Sequence, residues 1–160
     1  MTRPIQLKTH TVLIDAPCEM VFQKLSSFGS GRMAGDNTET AKVVSRDGNT
    51  IVAEFYTKVG PFTYTTVEEV TLDPPESITF EHLSGPLHYA REQFTFHDVD
   101  GKTKLVHTGE FIWKRFPFFG WLGGVLYTKP MFERVIATHF DQVKASCEAR
   151  AARSHVFGRR

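Results

Sequence analysis

The stretch MFERVIATHFDQVKASC, residues 131–147, decides the fold. Phe132, Val135, Ile136, His139, Phe140, Val143 and Cys147 recur at steps of three and four. At about 100° per residue they fall within an arc of roughly 140°. One histidine, His139, sits inside this apolar arc. The opposite face carries Glu133, Arg134, Asp141, Lys144 and Glu148, with unlike charges three and four positions apart, the pattern of a solvated surface. The spacing predicts a long helix lying on a partner. The sequence before it supplies mostly strands, so the expected partner is the concave side of a sheet, and what lies between the two decides the function.

Working back to the start, residues 7–14 alternate and are rich in β-branched side chains, which predicts a strand. Asp15 is placed to cap a following short helix and Pro17 to occupy its first turn, with Met20, Val21, Leu25 and Phe28 at helical spacing. The next segment, GSGRMAGDN at residues 29–37, is either a loop or one poorly formed helical turn, and its glycines lack the spacing of a nucleotide-phosphate loop. From Thr40 onward the pattern is an antiparallel meander of six strands. Its breaks fall at Asp47-Gly48, Gly60-Pro61, Asp73-Pro74-Pro75, Gly85-Pro86 and Asp100-Gly101. After Trp113 alternation stops, and the helical pattern that follows runs through Pro130. Either a short helix precedes the long one or a single helix is kinked there, and the kinked or broken helix is favoured.

Composition bounds the reading. A chain of 160 residues fits one domain, assigned to residues 1–152, with 153–160 as a flexible basic tail. The net charge of +1 gives no electrostatic argument for a nucleic-acid partner. Cys18 and Cys147 are far apart and read as reduced thiols, and the first residues lack a signal-peptide core, so the expected location is the cytoplasm. Aromatic residues make up 12% of the chain, enough either to fill a core or to line a cavity.

The first strand running into IDAPCEMVFQKLSS (residues 14–27), the turn LDPPESITFE (72–81) and the glycine-rich, proline-interrupted approach to the amphipathic C-terminal helix together resemble the START/Bet v 1-like (SRPBCC) superfamily. Within it the chain looks most like the bacterial polyketide cyclase/dehydrase and lipid-transport group. The resemblance spans nearly the whole chain, and its diffuse motifs specify the fold far better than the function. It implies an α+β helix-grip fold, in which a curved antiparallel sheet of about seven strands wraps the long C-terminal helix, short helices follow the first strand, and an apolar cavity lies inside. Members bind lipids, sterols, hormones or polyketides, and some catalyse cyclisation or dehydration. Residues 29–37 depart from the common pattern, in which Trp and Pro usually occur after the first helix.

Alternation along the strands points Tyr64, Thr66, Glu68, His82, Glu92 and His107 inward. A bulge would reverse the assignment beyond it. His139, His107, His82 and Glu68 are the candidates for general acid–base chemistry, because a histidine beside a carboxylate can move a proton near neutral pH. Tyr64, Phe80, Glu92, Phe94, Phe111, Trp113, Phe132, Val135, Ile136 and Val143 are the candidate ligand-binding residues. Each histidine taken singly reads more readily as a hydrogen-bonded core residue or as one exposed at a strand end, whereas for His139, on the apolar arc of the helix, the cavity reading stands level with that one. No metal-ligand spacing occurs among the histidines, and no cofactor is expected. Phe116, Phe118, Phe119 and Trp121 form an aromatic run that either packs on the sheet, caps the cavity, makes a dimer contact or rests transiently on a membrane.

These observations lead to an intracellular carrier or binding protein for a hydrophobic small molecule, monomeric or homodimeric. The alternative is a cyclase or dehydratase working by metal-free acid–base catalysis, and a third reading is a protein-interaction or regulatory domain. One fold serves all three.

Overall fold

The computed structural model describes residues 3–27, 39–59, 61–113 and 122–157. In chain order its strands are β1 (Ile5–Gln6), β2 (His10–Ile14), β3 (Glu39–Asp47), β4 (Thr50–Val59), β5 (Phe62–Asp73), β6 (Ser77–Ser84), β7 (Leu87–Val99) and β8 (Lys102–Trp113). Helix α1 (Cys18–Ser26) follows β2, and helix α2 (Lys129–Phe157) closes the chain. The described strands form one antiparallel sheet in the order β1-β8-β7-β6-β5-β4-β3, with β2 also on β8. This sheet and the 29-residue α2 make a helix-grip α+β fold.

The expected first strand is two strands. Ile5 and Gln6 pair with Phe111 and Glu110, whereas His10 pairs with His107, so one extra residue enters between them. Side-chain parity flips across this bulge: Ile5 and Leu7 are buried before it, and Ile14 is buried after it. Both short strands therefore keep an apolar face toward the interior.

Helix α1 starts at Cys18 with Pro17 as its N-cap and no side-chain cap, so Asp15 does not cap it. The Asp15 backbone N–H instead donates to Glu148 Oε1 at 3.0 Å. Similarly, Lys8 N–H donates to Glu133 Oε1 at 2.7 Å, and Lys144 Nζ donates to the Leu13 carbonyl at 2.6 Å. The charged side of α2 thus satisfies main-chain groups along β1 and β2 as well as meeting solvent, and ties the helix to that edge of the sheet.

Before α2 the helix widens into a π-helical turn, Gly124–Thr128, in which Lys129 N–H donates to the Gly124 carbonyl. Pro130 has no N–H and crowds the carbonyl four residues earlier, and a turn closed by five-residue steps relieves both demands. The helix is therefore widened at the proline and continuous through it. It also runs to Phe157, so the boundary placed at residue 152 falls within it. The glycine-rich residues 29–37 and the aromatic run at 116–121 lie outside the described residues.

The apolar arc of α2 divides along its length. Phe140, Val143, Cys147 and Ala151 are at most 5% exposed and pack in one core cluster with Val21, Phe22 and Leu25 of α1 and with Ile51, Val70, Ile78 and Leu105 of the sheet. Burial also pushes the Cys147 thiol above its ordinary pKa, as expected for an inert core residue. The N-terminal half of the arc faces something else.

Candidate functional site

Between the N-terminal half of α2 and the concave face of the sheet lies a cavity of about 420 Å³. Phe132, Val135, Ile136 and His139 face it from the helix. From the sheet come Phe55 and Thr57 of β4, Tyr64, Thr66 and Glu68 of β5, Phe80 of β6, Leu87, Ala90, Glu92 and Phe94 of β7, and Trp113 of β8. Pro61, Phe62, Pro86, Tyr127, Thr128 and Met131 complete the described wall. Phe62 and Tyr127 are 64% and 73% exposed, which places the opening at the end bounded by the β4–β5 turn and the π-helical turn. The size suits a small organic molecule, and the wall is mainly apolar with a few polar groups.

Of the proposed binding residues, Tyr64, Phe80, Glu92, Phe94, Trp113, Phe132, Val135 and Ile136 stand on this wall. Phe111 and Val143 do not. Phe111 is fully buried among Ile5, Leu7, Leu87 and Ala90, with its ring stacked on Phe132 at 5.7 Å, and Val143 is fully buried in the main core. Both point to the interior, but at their levels the interior is filled by side chains.

The acid–base candidates separate in the same way. His139, 4% exposed, and Glu68 line the cavity. His82 does not; its Nε2 lies 3.1 Å from the Leu87 carbonyl, beneath the turn that joins β6 to β7. A register shift between Val67 and Glu68 in the β5–β6 pairing places one extra residue, Leu83, in β6 just beyond His82. Gly85 has φ +143°, and a Cβ on it would lie 2.9 Å from His82 Cε1, so the turn folds directly over the ring. His107 also stands off the wall. It is 1% exposed, and its Nε2 lies 2.8 Å from Oε2 of Glu92, which does face the cavity.

The His107 end of this pair is enclosed by rings. Phe94 lies 5.1 Å from the His107 ring and Phe140 meets it edge-on at 6.2 Å, centroid to centroid. Behind it a second cavity of about 30 Å³, lined by Leu7, Lys8, His10, His107, Glu133 and Ile136, has room for about one water. At the cavity's open end, Trp113 Nε1 donates to Thr128 Oγ1 at 3.1 Å, fixing the last residue of β8 to the π-helical turn.

Sequence reasoning missed Tyr127, Thr128 and Met131. They continue the three-and-four stripe of α2 backwards, and the signal is interrupted where Pro130 is read as a break. Among the described residues no group of three or more His, Cys, Asp or Glu side chains is placed to hold a metal ion, and no helix is long and apolar enough to cross a membrane.

The chain belongs to the polyketide cyclase/dehydrase and lipid transport family, whose model matches residues 8–148. No curated protein matches it in sequence. Among solved structures it is similar to TTHA0849 from Thermus thermophilus, with 18% identity over 92% of this chain and 99% of that one, and a TM-score of 0.78. The Zhui aromatase/cyclase from Streptomyces sp. R1128 is 20% identical over 94% of this chain and 95% of its own, with a TM-score of 0.72. A START superfamily protein from Mycobacterium smegmatis is 12% identical over 93% and 99%, with a TM-score of 0.64. At these identities the likeness is one of fold.

Proposed function

We propose that the protein binds a hydrophobic small molecule, lipid-like, aromatic or polyketide, between the sheet and the N-terminal half of α2, and carries it in that cavity. The observation that carries this reading is the division of α2. The half that contains Phe140 and Val143 is packed solid, whereas the half that contains Phe132, Val135, Ile136 and His139 faces about 420 Å³ of open volume. Close packing is the rule in a native core, and an apolar void of that size with a few polar groups on its wall is the usual construction of a small-molecule site, which supports the reading. The family's description, polyketide cyclase/dehydrase and lipid transport, points the same way.

The test is a titration with phenylnaphthylamine, a neutral probe that brightens in apolar surroundings. Saturable binding at one site is expected, and Val135→Trp, which projects an indole into the cavity, should weaken it by at least about tenfold. Undiminished binding to a folded Val135→Trp protein would place the probe elsewhere.

A second reading, a cyclase or dehydratase, is favoured by one observation, the 2.8 Å contact that sets a histidine–carboxylate pair at the cavity wall. In that reading Glu92, facing the ligand, would exchange the proton, His107 would hold it in place, and His139 and Glu68 would be the other groups within the same volume. One structural neighbour is described as an aromatase/cyclase.

A further inference from the structure

We infer that Glu92 is a specificity-determining residue, which makes the cavity select ligands whose polar end donates hydrogen bonds, a hydroxyl or an ammonium, and reject those that end in a carboxylate. This rests on the cavity-binding reading and adds the chemistry of the ligand's polar end.

Glu92 is built into position. It lies opposite Gly109 across the β7–β8 ladder, while His107 pairs with the next inward residue, Phe94. A Cβ on Gly109 would come within 3.1 Å of Glu92 Cγ and 2.9 Å of Leu7 Cδ1. The missing side chain is therefore what lets the glutamate stem lie across β8 and bring its carboxyl to His107. The imidazole, 1% exposed and wedged against Phe94 and Phe140, fixes Oε2 at 2.8 Å. Oε1 takes no hydrogen bond from any described residue. The glutamate side chain is 17% exposed, and the space it is exposed to is the cavity.

A carboxylate with one oxygen anchored and one open is an acceptor waiting for a donor. A hydroxyl or ammonium would complete it with a charge-assisted hydrogen bond. A second carboxylate would bring like charges together in an apolar enclosure, at a cost in both repulsion and desolvation. The surrounding Phe55, Phe80 and Phe94 would take the ligand's apolar body.

Three ligands with one ring system separate the possibilities: naphthylmethanol, naphthylmethylamine and naphthoate, each competed against phenylnaphthylamine near neutral pH. In the unaltered protein the alcohol and the amine should bind at least about tenfold more tightly than the carboxylate. Glu92→Gln, which keeps the shape and removes the charge, should bring alcohol and carboxylate within about threefold of each other, with thermal melting used to confirm that it folds. A carboxylate that competes as well as the alcohol in the unaltered protein overturns the inference, whatever the variant does, and leaves the cavity reading standing. Selectivity that survives in a folded Glu92→Gln protein overturns it too, by assigning the discrimination to another lining group. Failure of phenylnaphthylamine itself to bind is a different result, since it removes the cavity reading on which the inference rests.

Discussion

Truncating Phe140 tests whether the solid half of the helix is as closely packed as its neighbours indicate. Its side chain is fully buried, and its ring lies 5.1 Å from His10, 5.7 Å from Phe94 and 6.2 Å from His107. It is absent from the described cavity wall, so no open space stands ready to absorb the loss. A buried phenylalanine removes about 150–250 Å² from water, and at about 25 cal/mol per Å² the transfer term is about 4–6 kcal/mol before the part that alanine keeps is returned. Partial collapse of the neighbouring rings offsets some of the void. Phe140→Ala should therefore cost about 3–5 kcal/mol, a large share of the roughly 5–15 kcal/mol typical of a domain. Urea unfolding followed by tryptophan fluorescence would show it as a fall in midpoint at constant slope. A loss below about 1 kcal/mol with the slope unchanged would refute the reasoning, because it would mean that the ring borders empty space and that the boundary between core and cavity is misplaced.

Two further substitutions probe how α2 and the turn before it are fixed. Gly124→Ala should destabilise by about 1–3 kcal/mol, because the added Cβ would run into Ile5 Cδ1 and stand 2.9 Å from Trp113 Cδ1; unchanged urea stability would show that the π-helical turn has slack. Glu148→Gln should weaken the protein near neutral pH, with the difference fading in acid. The Lys144 ammonium and the Asp15 backbone N–H, both bonded to Glu148, hold its carboxyl below the ordinary value of 4.5. A carboxyl whose folded value lies below its unfolded one adds stability above the unfolded value and loses it as pH falls through the folded value. The gap between the two proteins in denaturation midpoint should thus close below about pH 4.5, and a gap constant into the acid range would contradict the assignment.

Much of this is legible in residues 131–147. The three-and-four stripe fixes the inward face of α2, and alternation fixes the inward faces of β5, β7 and β8, which locates Tyr64, Glu68, Glu92 and Phe94. What a one-dimensional pattern does not carry is the third dimension of that interior. Phe111 and Val143 share faces with cavity-lining residues but meet other side chains, because whether a void or a neighbour lies opposite depends on elements distant in sequence. Local irregularities are equally silent. The extra residue before His10 reassigns side chains without a mark in the hydrophobic pattern, and His82, which keeps the register of Phe80 opposite Glu68, is set off the cavity wall by the turn that folds over its ring. Glu133 and Glu148 read as solvent-facing charges, yet they accept main-chain N–H groups more than a hundred residues away in the chain. The His107–Glu92 pair lies within reach of the sequence in another sense: alternation turns both residues inward, and only strand register brings them together.

The most direct test of a ligand-holding cavity is native mass spectrometry of the purified protein, followed by organic extraction of whatever it carries and by titration with phenylnaphthylamine. The expected result is a single apolar molecule per chain that organic solvent removes, or, in an empty protein, stoichiometric uptake of the probe. A protein that purifies empty and takes up no apolar probe would contradict the claim that the space between sheet and helix is a binding site.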